Sequence, residues 1–247
     1  MIVLELMAGS DARFEEAGYP FPKNVVEIAG LPLVEHVVKN ISALSELGAR
    51  FVFVIRRDED QRHHTGAVLR LLSPSATVLA VPSLTGGAAC TALLAIEHID
   101  NDEPLLIANG DQVIDADLPA IVRGFQTRKL DGGIIVFRST HPRWSYVRCD
   151  PDGFVVEAAE KHPISNLATA GTYYFARGRD FVRAAMESIK KDAHFNNAFY
   201  VCPCYNELVL EGAKIGVFEI AKEAYHSLAT TQGVEAYAEH LAQLRRP

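Results

Sequence analysis

The sequence predicts an α/β fold with three layers, in which helices cover both faces of a mainly parallel, mixed central sheet. In the first half of the chain, short apolar runs rich in Val, Ile and Leu alternate with longer segments of helical spacing. This alternation implies right-handed crossovers between parallel strands. After about residue 130, strand-like segments follow one another closely, and Asp150-Pro-Asp-Gly153 is typical of a hairpin turn. The second half therefore makes the sheet mixed.

The first half contributes four predicted strands and two predicted helices. The strands cover residues 2–7, 51–55, 77–81 and 104–108. The helices cover residues 32–47 and 87–99. Apolar residues at positions 33, 34, 37, 38, 41 and 44 give the first helix its spacing, and Gly48 stands at the expected cap position.

The second half is predicted to contain more strands than the first. Its strands cover residues 133–138, 145–149, 154–160, 169–176 and 214–220. Its helices cover residues 179–191, 203–211 and 232–244. Because no linker rich in Pro, Gly or Ser separates the halves, we predict one domain over residues 1–247, with halves 1–130 and 131–247.

Charge and cysteine content limit the classes of function. The 247-residue chain carries a formal net charge of −7, which argues against nonspecific binding to nucleic acid or to anionic membranes. No apolar run approaches the roughly 20 residues of a membrane span, and the first residues indicate a strand and not a signal peptide. The four cysteines lack zinc-type spacing, so we interpret them as reduced thiols of a cytoplasmic protein.

The loop after the first strand is a candidate phosphate-binding loop. Ala8, Gly9 and Ser10 follow that strand directly, and Arg13 and Lys23 come later in the same loop. A glycine here lets the backbone approach a phosphate, successive N–H groups can surround it, and the two cations add fixed positive charge. The alternative is an ordinary polar surface loop.

A carboxylate ends the fourth predicted strand. Asn109, Gly110 and Asp111 come straight after residues 104–108. Ligands of parallel sheets bind beyond the carboxyl ends of the strands, and Mg²⁺ usually takes one or two carboxylates together with substrate phosphates. Asp111 is therefore a candidate magnesium ligand. The alternative is an aspartate that stabilises a turn or caps a helix.

Two further stretches are candidates for the remaining parts of a ligand site. The small residues Gly86, Gly87 and Ala88 enter a helix, where a flat base could lie against the backbone; tight helix–sheet packing explains them equally well. Glu160-Lys161 precedes a strand that contains Gly171, and such a pair could bind sugar hydroxyls and a phosphate. An exposed ion pair worth under about 1 kcal/mol is the alternative.

In this order and spacing, the stretches resemble the nucleotidyltransferase family that makes activated sugars and related precursors for bacterial surface polysaccharides. The family opens with a strand and Gly-x-Gly-x-Arg-Phe, later followed by Pro-Lys-Pro, and has a Gly-Asp pair after a strand. It also has Glu-Lys before an Ala-Gly-x-Tyr-x-Phe strand. The matching residues are Gly9, Arg13, Phe14, Pro22, Lys23, Gly110, Asp111, Glu160, Lys161, Ala170, Gly171, Tyr173 and Phe175.

The resemblance extends over nearly the whole chain. Residues 85–91, 141–146, 159–165 and 197–203 are similar to a capsule-associated branch of the family. The resemblance implies the nucleotide-diphospho-sugar transferase fold, shared with the GT-A glycosyltransferases. It also implies a nucleotide-binding half over residues 1–130 and an acceptor-binding half over residues 131–247.

The implied reaction joins a nucleoside triphosphate to a sugar phosphate or similar phosphorylated small molecule and releases pyrophosphate. By resemblance, Arg13, Lys23 and Asp111 are the catalytic residues, with Asp111 binding Mg²⁺. The residues implied to bind the nucleotide are Ala8, Gly9, Ser10, Gly86, Gly87, Ala88, Asn109 and Gly110. Those implied to bind the acceptor are Glu160, Lys161, Gly171 and Asn197. Association of two copies through helices of the second half is a further expectation.

Three departures from the family pattern leave alternatives open. Asp11 replaces the second glycine of the first motif, where we expect a carboxylate to repel a triphosphate unless it turns away. Asn24 replaces a proline, which we expect to loosen the loop. Residues 226–231 lack the Trp-Gly-x-Gly-Thr-Pro-like segment and its aspartate; Glu219, Glu223 and His226 are the candidate replacements. The alternatives are a binding protein without turnover, and a glycosyltransferase, which the missing Asp-x-Asp disfavours.

Overall fold

A nine-stranded mixed sheet forms the centre of the molecule, as described by a computed structural model that covers residues 1–245. The strand order is β10-β9-β11-β6-β1-β4-β5, and β8 pairs with both β11 and β12. Two small two-stranded sheets lie outside it: β13 with β7, and β2 with β3. The strands are β1 Ile2–Leu6, β2 Glu27–Ile28, β3 Leu31–Pro32, β4 Arg50–Arg56, β5 Thr77–Val81, β6 Leu105–Asn109, β7 Gln112–Ile114, β8 Gly132–Arg138, β9 Ser145–Cys149, β10 Val155–Glu160, β11 Leu167–Phe175, β12 Ile215–Glu219 and β13 Tyr225–Ser227.

Helices fill the connections between the strands. They are α1 Ala12–Glu16, α2 Leu33–Ser42, α3 Arg57–His63, α4 Thr65–Leu72, α5 Ala88–Leu93, α6 Ile96–Ile99, α7 Leu118–Thr127, α8 Gly178–Lys190, α9 Tyr205–Leu210 and α10 Thr231–Leu244. Short 3-10 turns cover Lys23–Val25, Ala43–Leu47, Cys202–Cys204 and Lys222–Ala224. Among residues 1–245, no helix combines the length and the apolar character needed to cross a membrane.

The helices cover both faces of the sheet, which confirms the predicted three-layer fold. Side chains from α2, α4, α7 and α10 form one apolar cluster with the sheet. Those from α5, α6, α8 and α9 form a second cluster on the opposite face. Strands buried from both sides need apolar residues on both faces, and this explains the Val, Ile and Leu runs of β1, β4 and β6.

The strand directions place the candidate loops at one edge. β1 lies between β4 and β6 and is parallel to both, so the loops after β1 and β6 leave the sheet together. β11 runs antiparallel to β6, with Thr172 opposite Ala108. Gly171 therefore lies at the same edge as the end of β6. The ligand site is expected at this carboxyl edge.

Most predicted elements are present, and four of the observed helices had no predicted range. The helix predicted over residues 32–47 is an α-helix to Ser42 and a 3-10 turn afterwards; Gly48 is left-handed at φ 66° and ends it as predicted. The helix predicted over residues 87–99 is divided into α5 and α6. The helices without a predicted range are α1, α3, α4 and α7.

Candidate active site

Lys23 and Asp111 meet at the carboxyl edge of the sheet. The Lys23 Nζ atom lies 2.6 Å from Asp111 Oδ2, and both side chains are largely shielded from solvent. A Cβ atom built on Gly9 would lie 3.5 Å from the same Nζ atom. The glycine of the first loop, its lysine and the carboxylate after β6 therefore surround one point. A fixed cation and a carboxylate beside a glycine suit a bound phosphate group and its metal ion.

Close backbone approach requires the glycine before Asp111. The Gly110 N–H donates to the Leu6 carbonyl over 3.0 Å. A Cβ atom at Gly110 would lie 2.2 Å from the Met7 Cγ atom, so any other residue would push the β1 and β6 loops apart. The Gly-Asp pair therefore ties the second loop directly to the end of β1.

Asp11 turns away from the candidate phosphate site, which is the exception under which we expected no repulsion of a triphosphate. Its Oδ1 atom accepts the Lys23 backbone N–H at 2.9 Å, and its Oδ2 atom pairs with Arg56 at 2.7 Å. Arg56 also donates to the Gly9 carbonyl at 2.9 Å. With 4% of its surface exposed, Asp11 is a buried link between Lys23 and β4. The buried ion pair holds both ends of the loop.

Asn24 also fixes the loop, contrary to the expectation that it loosens it. The Asn24 Nδ2 group donates to the Met7 carbonyl at 3.0 Å and to Glu59 Oε1 at 2.9 Å. Glu59 accepts a further hydrogen bond from Thr65 at 2.8 Å. Burial raises the pKa of Glu59, although the bonds from Asn24 and Thr65 act in the opposite direction. The side-chain bonds supply the rigidity that a proline would give.

The remaining nucleotide-binding candidates lie in two places. Ala8 is buried, Ser10 is exposed, and Arg13 is an exposed residue of α1. The stretch Gly86–Ala88 lies elsewhere, against the loop that follows α8: Phe199 donates to the Gly86 carbonyl at 2.7 Å and accepts from Ala89 at 3.0 Å. A Cβ atom at Gly87, where φ is 118°, would lie 2.3 Å from the Phe199 carbonyl oxygen. Close backbone packing thus accounts for this glycine.

The acceptor-binding candidates also divide into two groups. Gly171, at φ 62°, lies beside Asn109 and Gln112, where an added Cβ would come within 2.4 Å of both side chains. Lys161 instead donates to the Tyr200 hydroxyl at 3.2 Å. The loop of Tyr200 also carries Asn197, which is exposed and left-handed at φ 58°.

Glu160 lies one residue before Lys161 but is buried. Its carboxylate accepts a hydrogen bond from Ser145 on the neighbouring strand. Burial raises the pKa of Glu160, and the Ser145 bond and the Lys161 charge oppose that rise. The two residues are therefore not the exposed ion pair of the alternative interpretation. Glu160 is positioned from the sheet, and Lys161 from the loop of Tyr200.

The donor set around Asp111 suits a magnesium ion held partly by substrate. Asp111 supplies carboxylate oxygens, and one carboxylate is sufficient when phosphate oxygens complete the coordination. The C-terminal segment does reach this residue, since the Leu228 N–H donates to the Asp111 carbonyl at 2.7 Å. None of the candidate replacements in the described chain points there: Arg138 binds Glu219, and His226 binds Asp115, while Glu223 is exposed.

Comparison with known proteins now decides the family. A model of the nucleotidyl transferase family matches residues 3–205. The chain belongs to this family. The matched range includes every residue discussed above from Ala8 to Tyr200, so both groups of site candidates lie within it.

Solved structures of nucleotidyl transferases resemble the whole chain. The nucleoside-diphosphate-sugar pyrophosphorylase from Vibrio cholerae is 27% identical, with a TM-score of 0.83 over 97% of this chain and 100% of that chain. Two others are 16% identical and show the fold alone. A UDP-glucose pyrophosphorylase complexed with UDP-glucose has a TM-score of 0.76 over 99% of both chains. The inositol-1-phosphate CTP transferase from T. maritima has 0.73 over 99% of this chain and 96% of that chain.

The sequence analysis did not identify the residues whose side chains hold the Lys23 loop in position. Arg56 and Glu59 lie in a charged stretch to which the sequence analysis assigned no role, yet they hold Asp11 and Asn24. The available signal lay in the loop itself: Asp11 and Asn24 stand where the resembled family has a glycine and a proline, and a buried acid and amide need polar partners from elsewhere in the chain. Gln112, which donates to Thr172 at 2.8 Å, was likewise not singled out.

Proposed function

We propose that this nucleotidyl transferase is an active, Mg²⁺-dependent enzyme that couples a nucleoside triphosphate to a sugar phosphate or a similar phosphorylated small molecule. Pyrophosphate is the second product. The activated product serves the synthesis of surface polysaccharides. The observation that carries the proposal is the 2.6 Å contact between Lys23 Nζ and Asp111 Oδ2 beside Gly9.

The reaction requires the protein to align the two substrates and to neutralise their charge, and it requires little covalent chemistry from the protein. A phosphate oxygen of the acceptor attacks the α-phosphorus, and the bond from that phosphorus to the bridging oxygen breaks as pyrophosphate leaves. The backbone of residues 8–10 and Arg13 bind the triphosphate. Lys23 neutralises charge that develops at the α-phosphate. The backbone of residues 86–88 borders the base.

Asp111 is the residue that would hold Mg²⁺. The ion, when bound, neutralises phosphate charge and orients the phosphate oxygens. Lys23 contacts the same carboxylate, so its ammonium is held at the point where substrate charge arrives. Glu160, Lys161, Gly171 and Asn197 are proposed to receive the acceptor. Among them, Gly171 lies nearest to the Asp111 loop, through Asn109 and Gln112.

The relatives support this class of reaction. The Vibrio cholerae protein carries the name of a nucleoside-diphosphate-sugar pyrophosphorylase, and that name denotes chemistry between a sugar phosphate and a nucleotide. The supporting geometry of this chain is its own: Arg56 and Asp11 fix the lysine loop without the second glycine of the motif. The replacement of that glycine is therefore compatible with an active site.

A pyrophosphate-release assay with Mg²⁺ tests the proposal. Each common nucleoside triphosphate is combined with a panel of sugar phosphates and amino-alcohol phosphates. We expect release that requires both substrates and that identifies the base and the acceptor. Release of a free nucleoside diphosphate from a nucleotide-sugar donor would instead indicate a glycosyltransferase.

A second candidate function is binding without turnover. Residues 226–231 reach Asp111 through the Leu228 N–H but contain no aspartate or glutamate, although the resemblance implies a carboxylate ligand in this region; this favours a protein that has lost a metal ligand. It predicts no pyrophosphate from the full panel, together with thermal stabilisation by a triphosphate. That combined result would replace the enzyme by a nucleotide-binding or sugar-phosphate-binding protein.

A further inference from the structure

Three potential metal ligands from separate elements meet on the side of the molecule where α10 packs. Asp115 follows β7, His226 lies in β13, and His240 lies in α10. The Asp115 Oδ2 atom is 2.8 Å from the Nε2 atom of His226 and 3.0 Å from that of His240. The ligand atoms of all three residues lie within 4.8 Å of one another.

The elements that carry these residues are fixed independently of the cluster. His226 is paired with Val113 across the β13–β7 sheet, and the Asp115 N–H donates to the Ala224 carbonyl at 2.8 Å. At the start of α10, Thr230 accepts the Gly233 N–H at 3.1 Å as an N-cap. The three side chains are therefore brought together by the fold and do not depend on their mutual contacts for their position.

Tyr237, which lies in α10 with His240, packs its ring beside both imidazole rings. It is buried, its ring centroid lies 5.0 Å from that of His226, and it lies 6.2 Å from that of His240. The two imidazole centroids are 4.4 Å apart. Both rings direct the same nitrogen, Nε2, to one carboxylate oxygen. Such convergence of two imidazoles and one carboxylate is a donor set of the kind that binds zinc.

The distances are close to those around a small divalent ion. With metal–ligand bonds of about 2.0–2.2 Å, neighbouring ligand atoms of a tetrahedral zinc site lie about 3.3 Å apart. The 2.8 Å and 3.0 Å contacts need to open by only about half an ångström. Asp115 is exposed and both histidines are half-buried, so solvent can supply a fourth ligand.

We propose that Asp115, His226 and His240 form a binding site for a zinc-class divalent ion. Imidazole nitrogens favour such metals over Mg²⁺, which prefers oxygen ligands and retains its water. The site is separate from the proposed magnesium ligand, because Asp111 and Asp115 stand at opposite ends of β7, about 13 Å apart along the strand. The inference is therefore independent of the proposed reaction.

The metal would join α10 to the β13–β7 sheet. β13 continues directly into Leu228, whose N–H donates to the Asp111 carbonyl. Fixing His226 and His240 to Asp115 therefore stabilises the packing of the C-terminal helix and the backbone beside Asp111. This is a structural role, and its effect is expected on stability more than on the chemistry of transfer.

Zinc binding to the untagged, metal-stripped protein tests the site directly. Competition with a chromophoric chelator is expected to give one bound Zn²⁺ per chain, and the melting temperature is expected to rise with free zinc. Equimolar Mg²⁺ should not displace the ion. His240→Gln and Asp115→Asn should each lower the affinity at least about tenfold. His240 is on the partly exposed side of α10, so its replacement is expected to preserve the fold.

A second His–Asp pair provides the matched control. His194 Nε2 lies 3.8 Å from Asp192 Oδ2 and belongs to no three-ligand group in the described residues. His194→Gln should leave zinc affinity unchanged. The proposal is overturned if the wild-type protein binds no zinc under these conditions. It is equally overturned if His240→Gln and Asp115→Asn bind zinc as tightly as His194→Gln, because the ion would then occupy another place such as the cysteines.

Discussion

Arg56 joins two carboxylates that differ mainly in their exposure. Asp11 is buried, and its side chain connects Arg56 to the backbone of Lys23. Asp58 pairs with the same guanidinium at 3.1 Å, but half of its side chain is exposed. A buried charge pair is costly to break because one charge is left without a partner, whereas an exposed pair contributes little. The same substitution at Asp11 and at Asp58 therefore measures how much the buried Asp11–Arg56 pair contributes.

Asp11→Asn should impair the protein more than Asp58→Asn does. Asparagine still accepts the Lys23 N–H but presents an N–H group to Arg56, so we expect a loss of about 2 kcal/mol in unfolding free energy. The displaced Lys23 loop should lower turnover about tenfold or more. Denaturant unfolding and pyrophosphate release measure the two effects. Equal behaviour of the two variants would show that Asp11 does not position the loop.

Glu5 is a buried carboxyl group in the middle of β1. Neither of its oxygens has a hydrogen-bond partner within residues 1–245. Burial raises the pKa of Glu5 well above its ordinary value, and the nearby Asp111 charge adds to the rise. The folded state therefore retains a proton that the unfolded chain loses at lower pH. Stability linked to Glu5 is complete below an ordinary pKa near 4.5 and decreases as the pH rises towards the folded value.

Glu5→Gln should remove this loss of stability. The variant has no proton to lose, so its stability relative to the wild type should increase as the pH rises from about 4 towards neutral. Glu27→Gln is the control, because Glu27 lies in a strand but is exposed. Melting temperatures across that pH range provide the measurement. Parallel pH profiles for wild type and Glu5→Gln would mean that Glu5 finds a partner in solution.

Among the strands and loops of the site, β11 places Gly171 directly against the loop that follows β6. Gly171 is left-handed at φ 62°, and an added Cβ would lie 2.4 Å from both Asn109 Nδ2 and Gln112 Oε1. Gly153, in the predicted hairpin turn, is also left-handed at φ 83°, but an added Cβ would meet no heavy atom within 4 Å. Both glycines therefore have a left-handed backbone, but only Gly171 is packed closely against other side chains.

Gly171→Ala should therefore reduce activity, whereas Gly153→Ala should not. Each substitution places a Cβ at a left-handed position, at a cost of about 1–2 kcal/mol. Only the first also displaces Asn109 and Gln112, which flank Asp111, and we expect a loss of turnover of about tenfold or more. Steady-state rates of both variants, compared at matched folded fractions, test this. Full activity of Gly171→Ala would show that the Asp111 loop tolerates the shift.

The sequence predicts elements well where one periodic apolar pattern dominates. β4 and β6 contain uninterrupted apolar runs, the run of β1 is broken only by Glu5, and all three strands were predicted to within a residue or two. α3 was missed because its stretch is almost wholly charged and buries only Glu59, through bonds with partners distant in sequence. The contact of Lys23 with Asp111 spans 88 positions, so only the resemblance to a family, and not local pattern, indicates it.

The same limit applies to the supporting residues of the site. Asp11 and Asn24 look like defects when they are compared with a motif, because the motif does not include Arg56 and Glu59. The structure shows that Arg56 pairs with Asp11 and that Glu59 accepts a hydrogen bond from Asn24. The cluster of Asp115, His226 and His240 was likewise not recognised, since its members are separated by 111 and 125 positions.

In the whole molecule, the two buried cysteines both belong to the apolar cluster on one face of the sheet. Cys202 and Cys204 are buried in the cluster formed with α8 and α9, whereas Cys90 and Cys149 are half-buried. Burial raises the pKa of the Cys204 thiol to about 12, and burial also raises that of Cys202. A protonated, enclosed thiol is a poor nucleophile. Reaction of either buried thiol with a labelling reagent therefore indicates that the apolar core on this face of the sheet has opened.

Thiol labelling should separate the four cysteines into two classes. In native conditions we expect Cys202 and Cys204 to react only at the rate of global unfolding, and Cys90 and Cys149 to react faster. All four should react at once in denaturant. Mass spectrometry of peptides after timed alkylation gives the rates. Rapid native labelling of Cys204 would show that the 3-10 turn at Cys202–Cys204 opens locally, apart from the rest of the core.

Pyrophosphate release by matched lysine variants tests whether Gly9, Lys23 and Asp111 form the site of nucleotidyl transfer, as we propose. Lys23→Ala is compared with Lys39→Ala, whose lysine makes an exposed pair with Glu35 on α2. If Lys23 has this role, Lys23→Ala loses turnover by about 100-fold or more while it stays folded by circular dichroism, and Lys39→Ala retains the wild-type rate. A folded Lys23→Ala variant with the wild-type rate would contradict it.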